Sequence, residues 1–175
     1  MPAASEAAAR RVHPLVYVDY RIRLAAVAIV ALIMGSVFWE RGVSGGWLAF
    51  NDPVPLLNPA ERAVRTAVAI RDRVHELAAG WRKQGWELAL GAGIAQGYAT
   101  LGAIGFEGRW DYAAIGTVTN LAARLCAEAQ PGDILVTARV HAAVEAGVEA
   151  DLLTPLTLKG FQRPVPAVRV TALRA

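Results

Sequence analysis

The chain has 175 residues, 55% apolar and 19% charged, with a net charge of +3 and a pI near 9.4. Those values exclude a disordered tail and suffice for one ordinary domain with a real core. The arginines are interleaved with acids, so the basic excess reads as a solvated surface and not as a nucleic-acid stripe. The one cysteine, Cys126, excludes an internal disulfide, and no Cys/His cluster has metal-site spacing. His13, His75 and His141 lie far apart and read as surface or helix residues. A reducing compartment fits this inventory.

In chain order, residues 1–44 form an atypical N-terminal segment. Leu24 to Trp39 is an uninterrupted run of sixteen residues without a charge. A membrane span needs about 20 apolar residues, so the run is borderline. Arg10, Arg11, Arg21 and Arg23 precede it, and Glu40 and Arg41 follow it. By the positive-inside rule a span here would keep the N-terminus in the cytoplasm and send the rest outside. A membrane anchor and a buried or non-native segment are both open readings.

From Gly45 the punctuation becomes regular. Asn51 to Pro55 is a loop, because Pro53 and Pro55 exclude helix and central strand. Asn58 before Pro59 predicts a helix start, and Ala63, Val64, Ala67, Val68, Val74, Leu77, Ala78 and Trp81 recur at helical spacing to about Gln84. Trp86 to Gln96 predicts a strand and Ala99 to Ile104 its hairpin partner, with a tight turn at Gly97-Tyr98. Trp110 to Ile115 predicts a strand, Thr117 to Ala129 a helix, and Pro131 to Asp133 a turn. Ile134 to Thr137 predicts a strand and Ala138 to Ala146 a short helix. A final hairpin is expected over Leu152–Lys159 and Val165–Thr171. The expected fold class is α+β, with a mainly antiparallel sheet and helices on one face.

Asn120 and Arg124 are four apart, hence on one face of the predicted helix, in its first two turns. An amide and a guanidinium there suit a ribose oxygen and a phosphate, aided by the positive helix end. From spacing alone, a helix with two surface polar residues is the more economical reading. Lys159, at the tip of the last hairpin, suits a phosphate or plain solvation equally. The Gly91-Ala92-Gly93-Ile94-Ala95-Gln96-Gly97 run is not a phosphate loop, since no Gly-Lys-Ser/Thr follows, and carries no direct chemistry.

Taken in order, Phe50-Asn51-Asp52-Pro53, Glu61-Arg62-Ala63-Val64, Gly93 to Gly97, Asp111 to Gly116, Asn120 to Leu125 and Leu158-Lys159-Gly160 resemble the bacterial class III adenylate/guanylate cyclases. The series covers residues 45–175, the C-terminal two-thirds of such a domain. The resemblance implies a ferredoxin-like α+β domain that dimerises head to tail and converts ATP to cyclic AMP and pyrophosphate, a phosphorus–oxygen lyase of signal transduction. It implies a site between protomers, one giving two aspartates for Mg²⁺ or Mn²⁺, the other an asparagine, an arginine, a lysine and a purine-selecting residue. By position these last are Asn120 for the ribose, Arg124 for the transition state, Lys159 for the phosphate and Ala113 for the purine.

The departures concern the metal. Val43-Ser44-Gly45-Gly46-Trp47 has no acid where the family carries a Gly-Asp pair. Asp19 resembles the other aspartate only faintly, lies close to Gly45, and is read as coincidental. The N-terminal third of the domain, with its opening strand, is therefore expected to be missing or altered, and no metal ligand is assigned. Ala113 offers neither a donor nor an acceptor, so ATP is not distinguished from GTP. The implied partners are ATP or GTP and a second protomer, in a homodimer or in a heterodimer with an intact cyclase protomer. One expectation is an enzyme inactive alone; the alternative is a degenerate or frame-disrupted product lending Asn120, Arg124 and Lys159. The expected location is the cytoplasm, with membrane association through 24–39 left open.

Overall fold

The computed structural model describes residues 12–23, 43–50, 57–83, 89–106 and 109–174. Seven strands and three helices alternate along them. Strands β1 (Val12–Arg23) and β2 (Val43–Phe50) precede helix α1 (Pro59–Arg82). Strands β3 (Ala89–Phe106) and β4 (Arg109–Ile115) lead to α2 (Thr117–Glu128). Then come β5 (Ile134–Thr137), α3 (Ala138–Val144) with a short 3₁₀ turn, β6 (Val148–Leu152) and β7 (Ala167–Leu173).

One sheet runs β2-β1-β3-β5-β7-β6, with β4 paired to the far half of β3. All pairings are antiparallel except β3 with β5. The mixed, mainly antiparallel α+β class expected from the sequence is present.

Several expectations are corrected. The opening strand is not missing: Val12–Arg23 lies between β2 and β3, with Asp19 opposite Trp47 on one side and Gly93 on the other. The sheet thus has its centre. There is also no turn at Gly97-Tyr98. β3 runs unbroken through it, and the reversal falls between Phe106 and Arg109. A two-residue hairpin turn needs positive φ. Among the described glycines only Gly132 and Gly160 have it, so Gly97 serves strand geometry. Asn58 does not cap α1 through its side chain: it sits at φ 52°, and its carbonyl accepts from the Arg62 N–H at 3.1 Å. The first strand of the last hairpin is Val148–Leu152 and not Leu152–Lys159, which falls in the loop to β7 and pairs there only at Leu156 with Val165. The apolar run 24–39 lies outside the described residues. No helix among the described residues is long and apolar enough to cross a membrane.

The helices divide between the two faces of the sheet. α1 buries Ala60, Ala63, Val64, Ala67 and Val68, the spacing of one helical stripe. With Val140 and Val144 of α3 they pack on Leu90, Ala92 and Ile94 of β3, Ile134 and Val136 of β5, and Val168 and Val170 of β7. Helices were expected on one face only, and this is corrected: the alternating side chains of β3, β5 and β7 are apolar on both sides, so each face takes a helix layer. α2 covers the other face, where Val118 and Ala122 meet Ala95 and Ala99, and Leu125 meets Leu135, Leu158 and Ala167. β5 is consequently buried at all four residues, as a strand covered on both sides must be.

Two polar devices hold the ends. Thr137 Oγ1 accepts from the Val140 N–H at 3.4 Å and caps α3. In the turn after α2, Asp133 Oδ2 accepts from the Gln130 N–H at 3.1 Å, and the Asp133 carbonyl accepts from Ala92 at 2.9 Å. Asp133 Oδ1 also lies 3.0 Å from Arg169 Nε of β7. That guanidinium N–H is not aimed at the carboxylate, so the attraction is Coulombic and not a directed bond.

Because β1 is paired on both sides, deleting residues 1–23 should leave two strand flanks without partners and abolish cooperative thermal unfolding. Circular dichroism of the truncated chain checks this; a sharp transition like that of the full chain would contradict the placement of β1.

Candidate active site at the head of helix α2

The loop into α2 is tight. A Cβ on Gly116 would stand 2.8 Å from the Tyr98 carbonyl oxygen, so glycine lets this residue lie flat against β3. Its carbonyl then accepts both the Thr119 N–H at 3.2 Å and the Thr119 hydroxyl at 2.7 Å, which starts the helix. No side chain caps the first turn, and no acid lies within it. The positive end of the helix is therefore not offset by a capping side chain or by an acid of its own first turn.

Asn120 and Arg124 are both exposed on this helix. A residue turns about 100° from its neighbour, so both lie on the side away from Ala122, which is fully buried against β3. Among the described residues neither side chain has a hydrogen bond or an ion pair, which leaves an amide and a guanidinium presented to solvent in parallel.

Lys159 joins them from a distant part of the chain. It is exposed on a turn closed by the Phe161 N–H donating to the Leu158 carbonyl at 3.1 Å, with Gly160 at φ 90°. Leu158, only 2% exposed, packs in the same cluster as Leu125. Each cation is thus the direct neighbour of a leucine in one buried contact, so both are anchored on the same face of the sheet. Ala113 falls in β4 opposite Gly102, and the next residue, Ala114, packs against the Val118–Ala122 cluster. All four candidate residues therefore belong to elements that meet around α2.

The acids are not gathered in the same way. Among the described residues no group of three His, Cys, Asp or Glu side chains could hold a metal ion. Asp19 is the one acid of β1, and β2 has none. A cavity of about 710 Å³ lies elsewhere, lined by residues including Arg71, His75, Arg82 and Leu90. None of the four candidates lines it, so it carries no weight for this site. Sequence reasoning missed the seat beneath the site: Gly93, whose position would bring any Cβ into the backbone of α2. The three glycines of 91–97 were the available signal.

Residues 55–168 match the family model of the adenylate and guanylate cyclase catalytic domain. An uncharacterized protein of Mycobacterium tuberculosis is 33% identical over 132 residues, 71% of this chain and 22% of the relative. A second one is 32% identical over 120 residues, 66% of this chain and 21% of the relative. The chain thus spans about a fifth of the length of these curated relatives. Among solved structures, the adenylyl cyclase CyaB from P. aeruginosa aligns with a TM-score of 0.77 at 24% identity, over 94% of this chain and 98% of that one. The guanylyl cyclase Cya2 gives 0.74 at 20%, over 95% of each. The guanylate cyclase domain of RhGC from Catenaria anguillulae, solved with GTP, gives 0.74 at 15%, over 94% and 100%. At these identities the structures show a shared fold, and with the family match over most of the described chain they lead to one conclusion: the chain belongs to the class III adenylate/guanylate cyclase family.

Proposed function

We propose that this chain supplies the nucleotide-binding half of a cyclase active site and relies on a second protomer for the metal half. The observation that carries this reading is the outward, unpartnered presentation of Asn120 and Arg124 on α2, with Lys159 anchored to the same buried cluster. In the proposed reaction the ribose 3′-oxygen bonds to the α-phosphorus of ATP or GTP. The bond to pyrophosphate breaks, and the hydroxyl proton leaves to solvent. Asn120 would hold the ribose, and Arg124 and Lys159 would neutralise the charge that builds on the phosphate oxygens. The uncapped first turn of α2 adds positive potential on that side.

The family reaction uses two aspartates to hold Mg²⁺ or Mn²⁺. This donor set does not fit that requirement: Asp19 stands alone in β1, and β2 offers no carboxylate. Hard divalent cations need several oxygen ligands, and one carboxylate does not make the pair that a two-metal site needs. The carboxylates and the metal are therefore assigned to an intact cyclase protomer, and the pair would hold one productive site. Ala113 cannot hydrogen-bond a purine edge, so the choice between ATP and GTP is assigned to other contacts. A heterodimer is favoured over a homodimer for the same reason as the missing carboxylates. The cytoplasm, where both nucleotides are available, is the proposed place of action.

Mixing the purified chain with a cyclase protomer that keeps both aspartates but lacks the arginine should raise cyclic nucleotide production, measured with Mn²⁺ and ATP or GTP. Arg124→Ala should reduce that gain about 10²- to 10³-fold. Dimer formation without any gain overturns the reading.

Asn120→Ala and Arg124→Ala should each change the unfolding free energy by less than about 0.5 kcal/mol, because both side chains are exposed and unpartnered. Urea denaturation checks this, and a loss several times larger would give these residues a structural role instead.

A further inference from the structure

We infer that Gly93 is the positioning residue of this site: by having no side chain, it sets the depth at which α2 lies on the sheet and so the placement of Asn120 and Arg124. The inference rests on the proposed function for its catalytic consequence, and on geometry alone for its structural one.

A Cβ built on Gly93 would stand 2.9 Å from Leu125 Cβ, and closer still to the Ala122 carbonyl oxygen and the Cys126 backbone nitrogen. Those two atoms are the acceptor and donor positions of one helical turn, i to i+4. The obstacle is therefore helix backbone, which cannot swing aside as the tip of a side chain can. Restoring ordinary contact would require α2 and β3 to part by about 1 Å.

Gly91 and Gly97 are less demanding. At Gly91 an added Cβ would meet Ala129 Cβ at 3.1 Å, and at Gly97 it would meet Val118 Cβ at 3.1 Å. Of Gly91, Gly93 and Gly97, Gly93 alone lies against backbone within α2. The turn that rests there, Ala122 to Cys126, has Arg124 at its middle and Asn120 two residues before it. Both residues lie on the side away from β3, so lifting the helix carries both outward together. A displacement of about 1 Å can cost about 100-fold in rate when it misplaces groups that act on a transition state.

The test is a mutant cycle in the mixed-protomer assay described above. Gly93→Ala should lower the rate about 100-fold in the otherwise unchanged chain. In an Asn120→Ala/Arg124→Ala background it should cost less than about threefold more, because both groups it displaces are already gone. An equal factor in both backgrounds would mark a purely structural effect and overturn the inference. If the unsubstituted mixture makes no cyclic nucleotide, the proposed function fails while this inference is still decided by the crystal structure of Gly93→Ala. That structure should show α2 moved outward by about 1 Å over an unmoved β3. A helix left in place above a buckled strand would overturn the inference. Should Gly93→Ala not fold, Gly97→Ala presses only on the Val118 side chain, under the first turn of α2. It should cost about threefold, and that cost should vanish in an Asn120→Ala background; an unchanged cost there would overturn the inference.

Discussion

The close seating of α2 on β3 is the contact on which the rest of this domain depends. It puts a helix backbone against a strand that carries glycine or alanine at every helix-facing position from Gly91 to Ala99. The approach buries Ala122 and Leu125 completely, and Leu125 in turn fixes Leu158 and the turn bearing Lys159. The same helix leaves Asn120 and Arg124 on its far side, exposed and free of partners among the described residues. A single packing decision thus sets both the core of one face and the chemistry of the surface above it.

The opposite face answers a different need. There α1 and α3 use Ala and Val at helical spacing to cover larger side chains of β3, β5 and β7. Asn120, Arg124 and Lys159 all belong to the α2 side. The sheet is thus covered by structural helices on one face and by the site-bearing helix on the other. β1, paired on both flanks, gives it a middle. Asp19 sits there, in register with Gly93. It is the one acid of β1 and β2, so these strands lack the pair of carboxylates that the proposed reaction needs.

Much of this was legible in the sequence because local signals and tertiary packing agree. The Pro59 helix, the Thr117 helix and the Ile134–Thr137 strand have clear periodicity and turn residues at their ends. Asn120 and Arg124 could be placed on one helix face by counting. β1 was illegible for physical reasons. Pro14 and the alternate charges Asp19, Arg21 and Arg23 argue against a central strand, and its partners are remote in sequence. The long β3 was read as a hairpin because glycine marks both a turn and a close approach, and only the packing of α2 tells the two apart. The joining of Lys159 to the site was likewise beyond counting, since it runs through Leu158 and Leu125, more than thirty positions apart.

The most direct test of the central claim is cyclic AMP and cyclic GMP production by the purified chain alone, with Mn²⁺ and ATP or GTP. The account predicts none, because one carboxylate cannot hold the metal pair. Activity that disappears in Arg124→Ala would contradict it, and would assign to Asp19 the metal-binding role that this account withholds.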